Sequence, residues 1–222
     1  MSDTIQAISR ALGADVQGLN AVSHNVANLA TPGFQSVRVL PDFASALGQA
    51  QHVQLQDGPL RQTERSLDLA LRGDGFFQIK RGDEVLLTRA GQFVRRADGV
   101  LATLAGDEVM TDAGPLILPE QDVRIDDSGV IWQGDQRMAQ LALVDVAEPS
   151  RLRPIDGGYR YDGVAATWNG TVQQGAIEQS NVDAAEETQR LIELSRHAES
   201  VQRAIAIYDR TLDTGINRIG DN

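Results

Sequence analysis

The sequence predicts an α+β chain in which a helix at each end flanks a body of short, mainly antiparallel strands. Three observations predict it. All seven prolines lie between Pro32 and Pro154, sixteen of twenty-one glycines between Gly33 and Gly170, and nine of ten aromatic residues between Phe34 and Trp168. The two ends instead carry apolar residues at helical steps. The middle alternates apolar and polar residues between Asp-Gly and Asn-Gly turns. The implied segments are 1–32, 33–175 and 176–222.

The first segment reads as a helix over residues 3–30. Ile5, Ile8, Leu12, Val16, Leu19, Val22, Val26 and Leu29 form one stripe with steps of 3 and 4. Ser2 or Asp3 can cap its start. Thr31-Pro32-Gly33 ends it, because proline lacks the N–H and glycine permits a sharp exit. The last segment reads as a helix over residues 181–219. Leu191, Leu194, Ala198, Val201, Ile205, Tyr208 and Leu212 alternate at 3 and 4, a heptad seam. Ser180, Asn181 and Asp183 offer caps, and Glu186 and Glu187 suit the positive end of the helix dipole. The stripes can be buried against each other, against neighbouring subunits or on the central body. Together they offer more apolar surface than one small body needs, which points to assembly.

In the middle, Leu67, Leu69 and Leu71 alternate on one face. Further strands are expected over 76–79, 85–88, 92–95, 100–104, 116–118, 123–125, 130–132, 139–146 and 159–161. Asp-Gly at 74–75, 98–99, 156–157 and 162–163, and Asn-Gly at 169–170, are hairpin signals. Gly73 and Gly75 are expected to set the turn before Phe76 and Phe77, whose rings would anchor the β core.

Composition narrows the function. Twenty basic against thirty-one acidic residues leave a net charge of −11, so nucleic acid and anionic membrane are poor partners. The absence of cysteine excludes disulfides, thiolate metal sites and a cysteine nucleophile. The longest apolar runs fall far short of the ~20 residues that span a bilayer, so no membrane insertion is expected. The N-terminus lacks the basic start and long apolar stretch of a cleavable signal peptide.

Chemistry-bearing motifs are weak. His24, His52 and His197 have no metal-ligand spacing. No GxSxG elbow is present. Arg72-Gly73-Asp74-Gly75 lacks the rest of a phosphate cradle and reads as a turn. Asp126-Asp127-Ser128-Gly129 lacks the twelve-residue calcium loop and also reads as a turn. The sequence therefore assigns no catalytic residue, no cofactor and no metal.

Three ordered blocks carry a resemblance that covers essentially the whole chain. SHNVANLATPGF (23–34), SLDLALRGDGFFQIKRGDEVLLTRAGQFVRRADGVLATLAGDEVM (66–110) and GAIEQSNVDAAEETQRLIELSRHAES (175–200) resemble the signatures of bacterial flagellar rod and hook proteins. The stretch GPLILPEQDVRIDDSGVIWQ (114–133) and the C-terminal LIELSRHAESVQRAI are closest to the proximal-rod members, with the distal-rod members as the alternative. The resemblance implies an inner, coiled-coil-like α domain made by the two terminal helices, with the β domain outside. It implies a structural axial component of the basal-body rod that transmits motor torque to the hook. It further implies export through the flagellar type III apparatus without a cleaved signal peptide, and assembly in the periplasm with other rod and hook subunits. The motif positions it marks are Asn25, Asn28, Pro32, Gly33, Phe34, Gly73, Gly75, Phe76, Phe77 and Asn181. Asn25 and Asn28 either hydrogen-bond backbone near the helix exit or lie on a polar face. A secreted binding module with helical oligomerisation ends is the competing class, and an enzyme has no motif to support it.

Overall fold

A computed structural model of the chain describes residues 2–41, 49–118 and 122–220. Helix α1 spans Ser2–Ala27. Strands β1 (Val37–Pro41), β2 (Gln49–Val53), β3 (Leu60–Gln62), β4 (Leu69–Arg72), β5 (Phe76–Arg81) and β6 (Glu84–Thr88) follow. Next come β7 (Phe93–Arg95), β8 (Leu101–Thr103), β9 (Glu108–Thr111), β10 (Gly114–Pro115), β11 (Arg124–Ile125), β12 (Val130–Gln133) and β13 (Gln136–Gln140). The body ends with β14 (Leu143–Val146), β15 (Leu152–Ile155), β16 (Gly158–Tyr161), β17 (Ala165–Thr167), β18 (Thr171–Gln174) and β19 (Ala176–Glu178). Helix α2 spans Ala184–Gly220.

The expected α+β class with a coiled-coil-like terminal domain is corrected by this structure. The described chain is mainly β, with nineteen short strands, two α-helices and a single 3-10 turn at Pro149–Arg151, and the α-helices do not form a coiled coil. The cause lies on α1. Its inward row keeps Ile8 and Val22 of the apolar stripe but otherwise runs through Ala11, Asp15, Gly18, Ala21 and Asn25. Leu12, Val16 and Val26 of that stripe are 40%, 50% and 47% exposed, and Leu19 is half-buried. On α2, Leu191 is exposed, while Leu194, Val201 and Ile205 are half-buried. The side chains of Ile5 and Leu212 lie outside the described residues.

The chain divides into two compact units, one of residues 1–26, 38–51 and 183–222, the other of 27–37 and 52–182. In the first, small and polar residues make the helix contacts. Leu194 sits over Gly18, where an added Cβ would meet it at 3.0 Å. His197 Nδ1 donates to the carboxylate of Asp15 at 2.7 Å. Arg38 pairs with Glu186 at 3.2 Å and with the buried Glu187. Asp183 Oδ1 accepts the N–H of Ala185 at 2.8 Å and of Glu186 at 3.2 Å, capping α2.

The second unit holds the β core. Its ten-stranded sheet runs β15-β16-β6-β5-β9-β8-β7, with β10 on β9, and β14 linking β5 to β17. Every described pairing within it is antiparallel. The Asp-Gly at 98–99 and at 156–157 close the β7–β8 and β15–β16 hairpins. The turns at 74–75, 162–163 and 169–170 close none, because β4 pairs with β18 and β17 with β14. The single strand expected over 139–146 is two strands. β13 pairs with β12, whereas β14 pairs with β5 and β17. Two core clusters result. Phe77, Phe93, Leu69 and Leu71 belong to one, and Phe76, Leu87 and Tyr159 to the other. Phe76 and Phe77 are both fully buried, each edge-on to one aromatic partner at 5.6 and 5.0 Å. The adjacent phenylalanines thus face opposite sides of the sheet.

Candidate functional site

The three motif blocks meet in one buried polar cluster. It forms where the chain enters the β body at residues 33–36 and leaves it at 176–182. Strand β19 brings the exit leg against β3, with Glu178 opposite Leu60, and β18 lies on β4.

Arg89 is the centre. It follows β6 and its side chain is fully buried. Its Nε donates to Glu178 Oε2 at 2.8 Å, and a terminal nitrogen donates to Asp57 Oδ1 at 2.8 Å. Its other terminal nitrogen donates to the carbonyls of Gly73 at 3.0 Å and Gly75 at 3.2 Å. The fork of a guanidinium suits such a task, since it can serve several acceptors in one plane.

Glu178 is fully buried as well. Its Oε1 accepts Gln35 Nε2 at 3.0 Å and the Gly58 N–H at 2.9 Å. Burial pushes its carboxyl above the usual range, and Arg89 acts in the opposite sense. Its backbone carbonyl accepts the N–H of Gly33 at 2.9 Å. Gln35 extends the network. Its N–H donates to the Tyr159 hydroxyl at 3.1 Å, and its Oε1 accepts from the Gln56 N–H and from Asn181 Nδ2. Burial pushes the Tyr159 hydroxyl up to about 12, so it stays protonated. Asn181 Oδ1 accepts the Ser36 N–H at 2.7 Å, and its Nδ2 also reaches the carbonyls of Gln54 and Gln56. Each carboxylate, amide and guanidinium here has a partner, which makes burial of the charges tolerable.

Two glycines make the close approaches possible. Gly33 has φ +69°, and a Cβ there would fall 2.3 Å from the carbonyl carbon of Arg89. At Gly75 a Cβ would fall 2.1 Å from Trp168 Nε1.

Of the motif positions marked in the sequence, the structure brings Gly33, Gly73, Gly75 and Asn181 to this cluster. Phe34 contributes its carbonyl, which accepts the Asn181 N–H at 3.2 Å. Asn28 Oδ1 accepts the Thr31 hydroxyl at 3.1 Å at the exit of α1, just before Pro32. Asn25 is fully buried, so the polar-face reading does not hold for it. Sequence reasoning missed Arg89, Glu178, Gln35, Asp57 and Tyr159. A signal existed for two of them, since Arg89 and Glu178 are opposite charges that follow the apolar runs Val85-Leu86-Leu87 and Ala176-Ile177. Chemically the cluster is a lock. Its carboxylate is committed to an arginine and its donors to fixed carbonyls.

Comparison with known proteins is decisive at this point. Residues 70–133 match the family model of the flagellar hook protein FlgE/F/G D1 domain, and residues 173–219 that of the flagellar basal body rod FlgEFG protein C-terminal region. The chain is 28% identical over 228 residues to the flagellar basal-body rod protein FlgF of Rhizobium meliloti, covering 91% of each. It is 28% identical to FlgF of Caulobacter vibrioides, again over 91% of each. Against FlgG of Bacillus subtilis it is 28% identical, over 90% of this chain and 92% of that one.

The chain belongs to the flagellar rod and hook protein family. It is a structural component of the flagellar basal-body rod. In this rod protein the buried cluster joins residues of the C-terminal block to the central block, the two regions that the family models match separately. Among the described residues no group of three or more His, Asp or Glu is arranged to hold a metal ion. No described helix is long and apolar enough to cross a membrane.

Proposed function

We propose that this rod subunit builds the proximal part of the rod by packing the exposed apolar positions of its helices against neighbouring subunits, and that it performs no catalysis. The observation that supports this is the mismatch on α1. Leu12, Val16 and Val26 face solvent, while the inward row of the same helix carries half-buried Ala11 and Gly18 and buried Asp15. On α2, Leu191, Ile192 and Ile207 are exposed as well. Large apolar side chains on two helices of one subunit mark an interaction surface. Burying them contributes about 25 cal/mol per Å². Each contact is weak, and several neighbours per subunit multiply the effect.

The partners are then other rod and hook subunits, and the load passed through these contacts is motor torque. Transit through the flagellar type III export apparatus brings the subunit to the periplasmic rod. The proximal position rests on the resemblance of residues 114–133 to proximal-rod members. A distal-rod or hook-related place is the second reading, since a FlgG relative is as identical as the FlgF ones.

Electron microscopy of isolated hook–basal bodies at side-chain resolution tests the proposal. A few copies near the base, with Leu12, Val16 and Leu191 covered by other subunits, is the expected result. Dozens of copies stacked under the hook would move the chain to the distal rod. Helices covered only by their own chain would overturn the packing mechanism.

A further inference from the structure

We propose that Asn169 is a self-modification site. In the folded chain its side-chain amide is lost to attack by the backbone nitrogen of Gly170, which leaves aspartate and isoaspartate at this position. The reaction needs water and no other subunit, so it stands apart from assembly.

Asn-Gly occurs once in the chain, at 169–170. Such a pair suits a hairpin turn, yet here β17 pairs with β14 and β18 with β4, so turn chemistry does not account for it. Packing accounts for the glycine. A Cβ on Gly170 would fall 2.1 Å from the Arg72 carbonyl oxygen and 2.4 Å from a ring carbon of Trp168. Nothing holds the asparagine. Asn169 is exposed, and among the described residues no group hydrogen-bonds its side chain.

The neighbouring backbone is open to attack. Glycine has no Cβ to shield its own nitrogen. The Gly170 N–H lies outside the β4–β18 ladder, which starts at Thr171 opposite Arg72, and it donates to no group among the described residues. Residues 168–170 belong to no helix or strand. The Gly170 nitrogen attacks Cγ of Asn169. A C–N bond forms, the Cγ–Nδ2 bond breaks, and Nδ2 leaves as ammonia with the proton that the Gly170 nitrogen gives up. Water then opens the cyclic imide. Opening at Cγ gives aspartate on the original backbone. Opening at the main-chain carbonyl gives isoaspartate, whose backbone runs through Cγ and is one carbon longer. Either product adds one negative charge to a chain already at −11.

Other asparagines are shielded. Asn25 is fully buried. Asn28 Oδ1 accepts the Thr31 hydroxyl, and the branched Leu29 follows. Asn181 is committed to Ser36, Gln35 and the Gln54 carbonyl, and Val182 follows.

Incubation of the purified full chain at mildly alkaline pH, followed by anion exchange and peptide mass mapping, tests this. The expected result is an acidic variant whose amide loss maps to Asn169, with isoaspartate there that accepts a methyl group from an isoaspartyl methyltransferase. The rate in the folded chain should lie within about tenfold of that in the urea-unfolded chain, since no local opening has to precede attack. N169Q should abolish the variant, and unchanged circular dichroism confirms its folding. A folded chain slower by more than about tenfold would overturn the proposal, because the fold would then shield the site. Earlier amide loss at another asparagine, or an acidic variant that persists in N169Q, would overturn it as well. Aspartate without isoaspartate would overturn the attack by Gly170.

Discussion

Replacing Arg89 by methionine tests the buried cluster most directly. The substitution keeps an unbranched apolar stem and removes the guanidinium. Glu178 then loses its charged partner at 2.8 Å while keeping Gln35 and the Gly58 N–H. The carbonyls of Gly73 and Gly75 lose a charged donor. Removing one member of a buried ion pair costs about 3–5 kcal/mol, because the remaining charge is left uncompensated. For a chain of this size that is a fall of about 6–20 °C in melting temperature, out of a total stability of about 5–15 kcal/mol. Urea unfolding followed by the fluorescence of Trp132 and Trp168 gives the number. A cycle of R89M, E178L and R89M/E178L separates pairing from burial. The double variant should cost clearly less than the two singles together, since it leaves no charge unpaired. Burial already raises the Glu178 carboxyl, and loss of Arg89 raises it further. A raised carboxyl carries a penalty at pH above its unfolded value, which protonation relieves as pH falls. The stability gap between wild type and R89M should therefore narrow from neutral pH down towards about 4.5, the ordinary glutamate value. A cost below about 1 kcal/mol for R89M, or strict additivity in the cycle, would refute the lock.

Three further outcomes are expected. G33A should destabilise the isolated chain by at least about 2 kcal/mol in urea unfolding, because a left-handed alanine is strained and its Cβ meets the Arg89 backbone. L12D and V16D should change stability by no more than about 0.5 kcal/mol, both sites being exposed, and yet fail to assemble in a motility and particle-recovery assay. Arg96 holds the Asp98 carboxyl down to about 2, so that contribution is complete above 3.8 and is lost as pH falls towards 2. Acid titration should show the stability difference between wild type and R96Q shrinking across that window.

The sequence by itself determined where helices and strands occur, because periodicity and turn residues act locally. The presence of α1 and α2, most of the β segments and two Asp-Gly hairpins follow from such local rules, whereas α1 ends at Ala27 and α2 begins at Ala184, three residues inside the expected bounds. The motif blocks were equally legible as a family signature. Three things were decided only in the tertiary structure. Which face of α1 is buried depends on what meets it. Leu194 needs the space over Gly18 and His197 finds Asp15, so the helix turns inward a row in which Asp15, Gly18 and Asn25 accompany Val22, and leaves Leu12, Val16 and Val26 outside. Strand partners depend on closing long loops, which is why the turn at 74–75 joins two strands that pair elsewhere. The polar cluster depends on both, since Gln35, Arg89 and Glu178 are separated by 143 residues end to end. A buried charge reveals its purpose only when its partner arrives, and sequence distance conceals that partner because pairing is fixed by position in space.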